Sequence, residues 1–508
     1  MDTPLSTEKR DSNIGSSDGS KSNRESKVVP DDPYQVTLGP EDDPKNLPVW
    51  RKWLTVAILN AGAMNATGAS SMAASAEVGI SQEFHVSLEV ATLGVSMFVL
   101  GTGLGPFLMG SVAEVTGQRR IYLMSFLLAW AFAWPVAFSH SLAVHLIFRF
   151  LGGLCGSAFL SIAGGTVSDM FTDDTVATPM ATYTISTFVG PNMVPVFSGF
   201  VVERAGWRWL YYTLIIWNFV QFIALFAVPE TYEPIILKWK AQHLRKSTGD
   251  DRFYAPLERE STGILHRVWI GCWHILELIL YDRMILLLDL WLALILGIVY
   301  LAFQSYPIIF ITGHNFSVEL LGLTFIGVNI GFAIAMFTQV FWNKARLRAM
   351  VKHNNNPPPE VWLVMGQYGA VLVPIGLYIM AFTTYQNVHW IGPIIGSVPF
   401  GIGVCYVYTS TFTYLVTAFR PMAAAAMSGS AILRSCFAAG FPMFANSMYD
   451  RLGTVGATAL LAGLTTVMAP LPFIFQKYGA CLRAKSGFAA HLDTDQLPEK
   501  TDIDGGSQ

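Results

Sequence analysis

The sequence predicts an all-α membrane protein with twelve transmembrane helices arranged in two bundles of six. Of its 508 residues, 52% are hydrophobic and only 13% are charged, whereas a typical soluble domain has about 25% charged residues. Twelve apolar runs of about 20 residues follow one another, and a helix of that length crosses the hydrocarbon core of a bilayer. A polar connector over 229–283 separates the first six runs from the last six.

Each apolar run is predicted to be a helix, because lipid offers the backbone no hydrogen-bond partners and a helix pairs its own groups. The predicted spans are 54–76, 89–110, 120–139, 142–168, 177–202, 207–228, 284–312, 318–342, 361–383, 390–415, 420–449 and 454–477. The predicted organisation is a disordered tail over 1–52, an N-terminal bundle over 53–228, the connector over 229–283, a C-terminal bundle over 284–478 and a tail over 479–508.

The distribution of positive charge predicts the orientation in the membrane. Most of the 32 lysines and arginines lie in the tails, the connector and the short loops that share their side. Arg204, Arg208 and Arg451 are the ones in loops on the other side. By the positive-inside rule both termini are predicted to be cytoplasmic. The plasma membrane is the expected location, with the vacuolar membrane as the alternative.

One arginine interrupts the fourth apolar run. Arg149 lies in LAVHLIFRFLGGLCGSAFLSIAGG, and an arginine at the centre of a membrane helix costs at least ~2.5 kcal/mol. Arg149 is therefore expected to face a polar chamber between the bundles or a buried partner. Because arginine keeps its proton, it cannot itself carry one across the membrane. Arg149 could instead shift the pKa of a neighbouring acid or bind a substrate. The alternative is a structural arginine bound to backbone carbonyls.

The loop between the second and third spans carries a motif of glycines, an acid and basic residues. It reads GSVAEVTGQRRIYL. Gly110 allows close helix approach and Gly117 allows a tight turn, because neither has a side chain. Glu114 can accept hydrogen bonds from a helix N-terminus, and Arg119 is expected at the cytoplasmic end.

Two further motifs lie in the fourth and fifth spans. The fourth contains RFLGGLCG, in which Gly153 permits close packing of the small-xxx-small kind. The fifth contains STFVGPNMVPVFSGF, with Gly190, Pro191 and Pro195. The prolines remove backbone donors and bend a helix, which suits a gate between two rocking bundles.

Together these three motifs resemble those of the major facilitator superfamily. With PETYEPIILKWKAQHLRKSTGD (Pro229 to Asp250), IGPIIGSVPFGIG (Ile391 to Gly403) and the stretch from Ala423 to Gly453, the chain resembles the fungal twelve-helix drug:proton antiporters within it. The resemblance extends over about residues 32–486. It implies export of a drug, toxin, organic acid or secondary metabolite by alternating access, with a proton gradient as the driving force and no cofactor. It also implies that Arg149 takes part in proton coupling.

A proton carrier is expected to be an acidic side chain within a span. The seventh span has Gln304 where many relatives have a glutamate, and an amide does not take up a proton at physiological pH. Asp289 lies nearer the start of the same span and is the candidate carrier. The alternative is an interfacial aspartate stabilised by the helix dipole.

The substrate site of such a fold is expected near the membrane midplane between the two bundles. Polar and aromatic residues at that depth are the candidates, and each could instead join two helices structurally. They are Asn60, Asn65, Gln304, Tyr306, Asn329, Tyr406, Tyr408 and Arg434. Two cations with several aromatic rings would suit a planar or anionic organic molecule.

Other classes of function are less well supported by the sequence. It has no phosphate-binding loop, nucleophile elbow or metal-spaced His/Cys cluster, so neither an enzyme nor a metal site is expected. The expected partners are a small-molecule substrate, protons and the lipid bilayer, without nucleic acid, and the expected state is a monomer. Alternatives are a proton-independent facilitator, an uptake carrier and a non-transporting sensor.

Overall fold

Helices account for nearly all of the described chain. The computed structural model describes residues 34–172, 175–259, 273, 275, 277–278, 280–352, 358–385, 387–419 and 423–485. Within these residues the β pairing consists of one parallel bridge between Gln35 and Tyr254.

The first half of the chain forms seven helices before the connector. They are α1 (Val49–Phe84), α2 (Leu88–Thr116), α3 (Gln118–Phe138), α4 (Leu142–Gly156), α5 (Ala158–Met170), α6 (Ala177–Ala205) and α7 (Arg208–Ala224). Short 3-10 helices lie at Pro44–Asn46 and Leu225–Ala227. The connector contributes α8 (Glu233–Thr248) and α9 (Pro256–Arg259).

The second half repeats the pattern of long apolar helices. It contains α10 (Arg283–Tyr306), which a π-helical turn extends over Pro307–Thr312, then α11 (Val318–Thr324), α12 (Ile326–Lys352), α13 (Leu363–Thr383), α14 (Ile391–Ala418), α15 (Ala423–Met468) and α16 (Leu471–Lys485). A 3-10 helix at Pro359–Trp362 precedes α13.

Several helices differ from the predicted spans, and the eighth span is divided at Phe325 into α11 and α12. The helix predicted over 54–76 is α1, which continues to Phe84 and ends where His85 takes a left-handed conformation with φ 53°. The fourth span is divided at Ser157 into α4 and α5. The last two predicted spans are joined in α15, which has a non-helical residue at Gly453 with φ 70° and ψ 170°. The end of the twelfth span lies in α16.

Ten segments of the described chain are long and apolar enough to cross a membrane. The small, partly polar residues of α1 keep it outside this set, and one segment, Ala426–Gly479, covers the last two predicted spans. The predicted all-α membrane fold is confirmed.

The connector helix α8 and the N-terminal segment lie together at one end of the bundles, which we call the connector face. Val36 packs in a small apolar cluster with Leu237 of α8, and the Lys240 ammonium binds the Asp42 carboxylate at 2.7 Å. Because α1 starts at this end, its last turns lie at the opposite end, which we call the distal face.

Glycines let the two bundles meet closely towards the distal face. A Cβ atom on Gly322 of α11 would collide with the carbonyl oxygen of Pro195 on α6, and one on Gly199 would lie 2.5 Å from the carbonyl oxygen of Val318. Both contacts join the N-terminal half to the C-terminal half. The distal end of the interface is therefore closed by direct backbone packing.

We expect Gly322→Val to hold the distal face open, because the larger side chain occupies the space of the Pro195 carbonyl. A cysteine at Ser70, which is 1% exposed, should then react faster with a membrane-impermeant thiol reagent, in protein whose exposed Cys436 is replaced by serine. Gly440→Val is the matched control, since nothing lies within 4 Å of its Cβ position. Equal reactivity in both variants would contradict closure at Gly322.

Candidate functional site

A buried carboxylate joins the two bundles near the distal face. Glu77 of α1 is 4% exposed. Its Oε1 accepts a hydrogen bond of 2.6 Å from the Gln304 side chain of α10, and its Oε2 accepts one of 3.1 Å from the Thr92 hydroxyl of α2. We call Glu77, Thr92 and Gln304 the distal latch. Because Gln304 belongs to the other bundle, this latch must break when the distal face opens.

Other polar contacts reinforce the same interface. The hydroxyls of Ser70 and Tyr300 lie 2.7 Å apart, two turns of α1 below Glu77. Asn329 of α12 donates to the carbonyl of Asn192 on α6 at 3.0 Å. At the distal ends of their helices, the Arg204 guanidinium binds Glu319 at 3.0 Å.

Arg149 is held inside the N-terminal bundle. Its Nε donates to the carbonyl of Gly94 and its Nη1 to the carbonyl of Ala69, each at 3.0 Å. The guanidinium also lies 4.3 Å from the centroid of the Phe98 ring. The cavity beside Arg149 is lined only by residues of the first half, Asn65 to Asn218. The expected orientation into a chamber between the bundles is therefore wrong, because α1 and α2 supply the nearest acceptors.

A second cluster brings two of the predicted positions, Tyr408 and Arg434, together in the C-terminal bundle. The Arg434 guanidinium lies 5.6 Å from the centroid of the Tyr408 ring and 4.8 Å from that of Phe412. The Tyr408 ring lies 4.7 Å from that of Phe188 on α6, so the cluster extends to the N-terminal bundle. We call Phe188, Tyr408, Phe412 and Arg434 the aromatic–arginine cluster.

Asp289 lies beside this cluster and is fully buried. Within the described chain neither of its carboxylate oxygens has a hydrogen-bond partner by distance and angle. The polar groups that interact electrostatically with the Asp289 carboxyl group are the Ser430 hydroxyl and the Arg434 guanidinium. It is therefore a membrane-embedded acid close to a cation.

The remaining candidate cavity residues lie apart from one another. Asn60 is half-buried in α1, and its Oδ1 has no partner among the described residues. Tyr306 packs on Phe325 with ring centroids 4.6 Å apart. The Tyr406 hydroxyl lies 2.6 Å from that of Thr338, inside the C-terminal bundle. Tyr306 and Tyr406 thus act as packing residues of their own bundle in this conformation.

The motif GSVAEVTGQRRIYL runs from the end of α2 into α3, and the connector caps the turn between them at Gly117. Gly117 has φ 96°, and the Glu230 carboxylate accepts hydrogen bonds of 3.1 Å from the backbone amides of Gln118 and Arg119. The Arg119 Nη2 donates to the carbonyl of Phe226 at 3.1 Å. A carboxylate at the first turn of α3 is favoured by the helix dipole. The motif therefore attaches α3 to the start of the connector.

The other motif residues lie within long helices. Gly110 and Glu114 are in α2, and the structure does not describe the Glu114 side chain. A Cβ on Gly153 would collide with the carbonyl of Phe98, and one on Gly190 would lie 2.7 Å from the carbonyl of Met64. These glycines thus bring α4 against α2 and α6 against α1. Pro191 and Pro195 lie inside α6, which continues through both.

Two acids that sequence reasoning missed are central to these contacts. Glu77 fell just beyond the predicted end of the first span at residue 76, although AASAEVGISQEF has no helix-breaking proline and could have extended it. Glu230 lies in PETYEP at the start of the connector, and nothing in that stretch indicates that its partner is the amide end of α3.

Two bundles of apolar, membrane-length helices that meet along a partly polar interface form an architecture used by secondary transporters. The sequence model of the Major Facilitator Superfamily matches residues 58–444. The chain belongs to this superfamily, and the predicted family is confirmed.

Relatives and solved structures agree with this assignment. The chain is 37% identical over 453 residues to the probable drug/proton antiporter YHK8 of Saccharomyces cerevisiae, covering 89% of this chain and 88% of the relative. It is 39% identical over 396 residues to the efflux pump atB of Aspergillus terreus, covering 76% and 83%. The proton:xylose symporter XylE shares the fold, with a TM-score of 0.60 at 13% identity over 84% of this chain and 96% of XylE. The predicted class, a secondary transporter that exports small molecules, is confirmed.

We expect Arg149→Lys to lower stability, because a lysine cannot bond two carbonyls in the fixed fork of a guanidinium. Loss of one hydrogen bond to a charged group costs about 1.5–3 kcal/mol. Thermal unfolding of the purified protein would measure this loss. Arg204→Lys is the control, because that side chain is 74% exposed and surface ion pairs contribute about 0–1 kcal/mol. Equal unfolding temperatures for both variants would contradict the structural role of Arg149.

Proposed function

We propose that this protein exports a small amphipathic organic molecule in exchange for protons. The observation that carries the proposal is the distal latch, a buried carboxylate whose partner belongs to the opposite bundle. The bundles rock about their shared interface, and the latch is made when the distal face closes and broken when it opens.

Burial of the Glu77 carboxylate gives the proton its role. A charged group costs more to bury than a neutral one. When the distal face opens, Glu77 meets water on that side and takes up a proton. The neutral carboxyl group then returns to the interface at lower cost, which favours closure. Release of the proton towards the connector face completes an exchange cycle.

The aromatic–arginine cluster is the proposed substrate surface. It presents flat rings and one guanidinium at the place where α6 of one bundle meets α14 of the other. Rings stack on planar groups, and a guanidinium pairs with an anionic or carbonyl oxygen. A planar molecule with an acidic or carbonyl group is therefore the substrate class we infer. The half-buried Asn60 amide is a further candidate contact.

The proposal also includes the orientation, the location and the oligomeric state of the protein. We infer that the connector face is cytoplasmic, from the positive-inside distribution of lysine and arginine, and that the protein works in the plasma membrane as a monomer. Transport without enzyme activity, metal or cofactor completes the proposal. The names of the fungal relatives, a probable drug/proton antiporter and an efflux pump, support export over uptake.

We expect Glu77→Gln to abolish proton-driven efflux and to leave substrate binding nearly unchanged, because the amide keeps the shape of the latch but neither takes up nor releases a proton at physiological pH. Efflux from energised vesicles with and without a pH gradient measures the coupling. Thr92→Val is the matched control, since it removes a latch hydrogen bond without removing an acid, and it should keep its response to the gradient.

The pH dependence of efflux by Asp289→Asn distinguishes between Glu77 and Asp289 as the proton carrier. If Glu77 carries the proton, the pH dependence of efflux by Asp289→Asn keeps its shape. The affinity for an anionic substrate changes, because the Asp289 carboxylate interacts electrostatically with Arg434. A flat profile in Asp289→Asn together with normal coupling in Glu77→Gln would assign the proton to Asp289. Gradient-independent efflux in the unmodified protein would instead identify a facilitator.

A further inference from the structure

A small cavity lies inside the N-terminal bundle, away from the interface between the bundles. Its volume is about 30 Å³, and its walls belong to α1, α2, α3, α4 and α7. Most of the lining consists of alanine and phenylalanine side chains, and the polar lining residues are Asn65, Arg149 and Asn218. All three are buried, with exposed fractions of 2%, 2% and 5%.

Two hydrogen-bond donors of this cavity are unpaired. Neither the Nη2 of Arg149 nor the Nδ2 of Asn65 has an acceptor among the described residues. Both side chains line the same small space. A buried donor without an acceptor costs about 1–3 kcal/mol, and more when the group is charged. Two such donors at one place therefore indicate a missing acceptor.

The charge of Arg149 is also uncompensated. Its two hydrogen bonds go to neutral carbonyls, and the guanidinium lies beside the rings of Phe98 and Tyr211. No acidic side chain is among the residues that line the cavity. Glu77 is bonded instead to Gln304 and Thr92. The cavity is therefore a site of positive potential in apolar surroundings.

We propose that this cavity binds one small monovalent anion between Arg149 and Asn65. The anion accepts from both unpaired donors and neutralises the guanidinium. A water molecule takes about 10–15 Å³ of such a cavity, so a volume of about 30 Å³ suits a single halide or nitrate and excludes gluconate. Because the walls are mostly apolar, an ion that loses its hydration cheaply is preferred, so bromide and nitrate should bind at least as well as chloride.

The bound anion stabilises the folded N-terminal bundle and takes no part in driving transport. It would join α4 to α1 through the two donors, within one bundle, and this contact need not break as the bundles rock. Its effect should therefore persist without substrate or proton gradient.

The test is the thermal unfolding midpoint of the purified full-length protein at constant ionic strength. Sodium gluconate is replaced stepwise by sodium chloride, bromide or nitrate. The midpoint should rise and saturate with each small anion, by about 2 °C or more. The same midpoint in chloride and in gluconate at every concentration would overturn the proposal and leave water as the occupant.

Substitutions at Asn65 make the test specific for this site. Asn65→Asp supplies a carboxylate beside Arg149, so its midpoint in gluconate should equal or exceed that of the unmodified protein, and its response to chloride should vanish. Asn65→Leu removes the donor without adding charge. It should therefore need at least tenfold more chloride to raise its unfolding midpoint, and its midpoint in gluconate should not exceed that of the unmodified protein. Asn192→Asp on α6 is the control for a buried acid elsewhere and should retain the response. A full chloride response in Asn65→Asp would refute the site.

Discussion

The guanidinium of Arg149 holds three helices of the N-terminal bundle in register. It bonds the carbonyls of Ala69 on α1 and Gly94 on α2 from its own place on α4. A lipid-facing or unpaired arginine at this depth would cost several kcal/mol, so the packing of α1 and α2 depends on this side chain. The bundle can then move as a rigid body, and its interface with the other bundle becomes the part that changes.

That interface combines two kinds of contact with different consequences for motion. Backbone contacts at Gly199 and Gly322 involve no charged group and are short-ranged, so they separate without leaving a charge behind. The distal latch differs, because opening it exposes a carboxylate and an amide that were paired. Water or a proton must then satisfy Glu77. In the proposed cycle the free-energy cost of opening therefore depends on proton availability at the distal face, whereas the glycine contacts determine how closely the two bundles approach there.

The fold was predictable from sequence because it follows from the length of apolar runs, and every predicted span is helical over most of its length, although the fourth and eighth are divided and the last two are joined. The motifs around Gly117, Gly153 and Gly190 also marked real close approaches. The pairs of the candidate site were not predictable. Gln304 and Glu77 are 227 residues apart, and no local pattern states which amide meets which acid. Arg149 was recognised as costly, but its acceptors are backbone carbonyls, which have no sequence signature.

The two buried ionisable groups near α1, Arg149 and Glu77, differ in whether their charge can change. Arg149 keeps its charge throughout a cycle, so it can define structure and potential but cannot carry a proton. Glu77 can change its charge, and it lies where the bundles separate. A permanent charge at a moving interface would have to be dehydrated at every closure, whereas an exchangeable one can be neutralised first. The placement of the arginine inside one bundle and of the carboxylate between the two is therefore consistent with the proton-driven cycle that we propose.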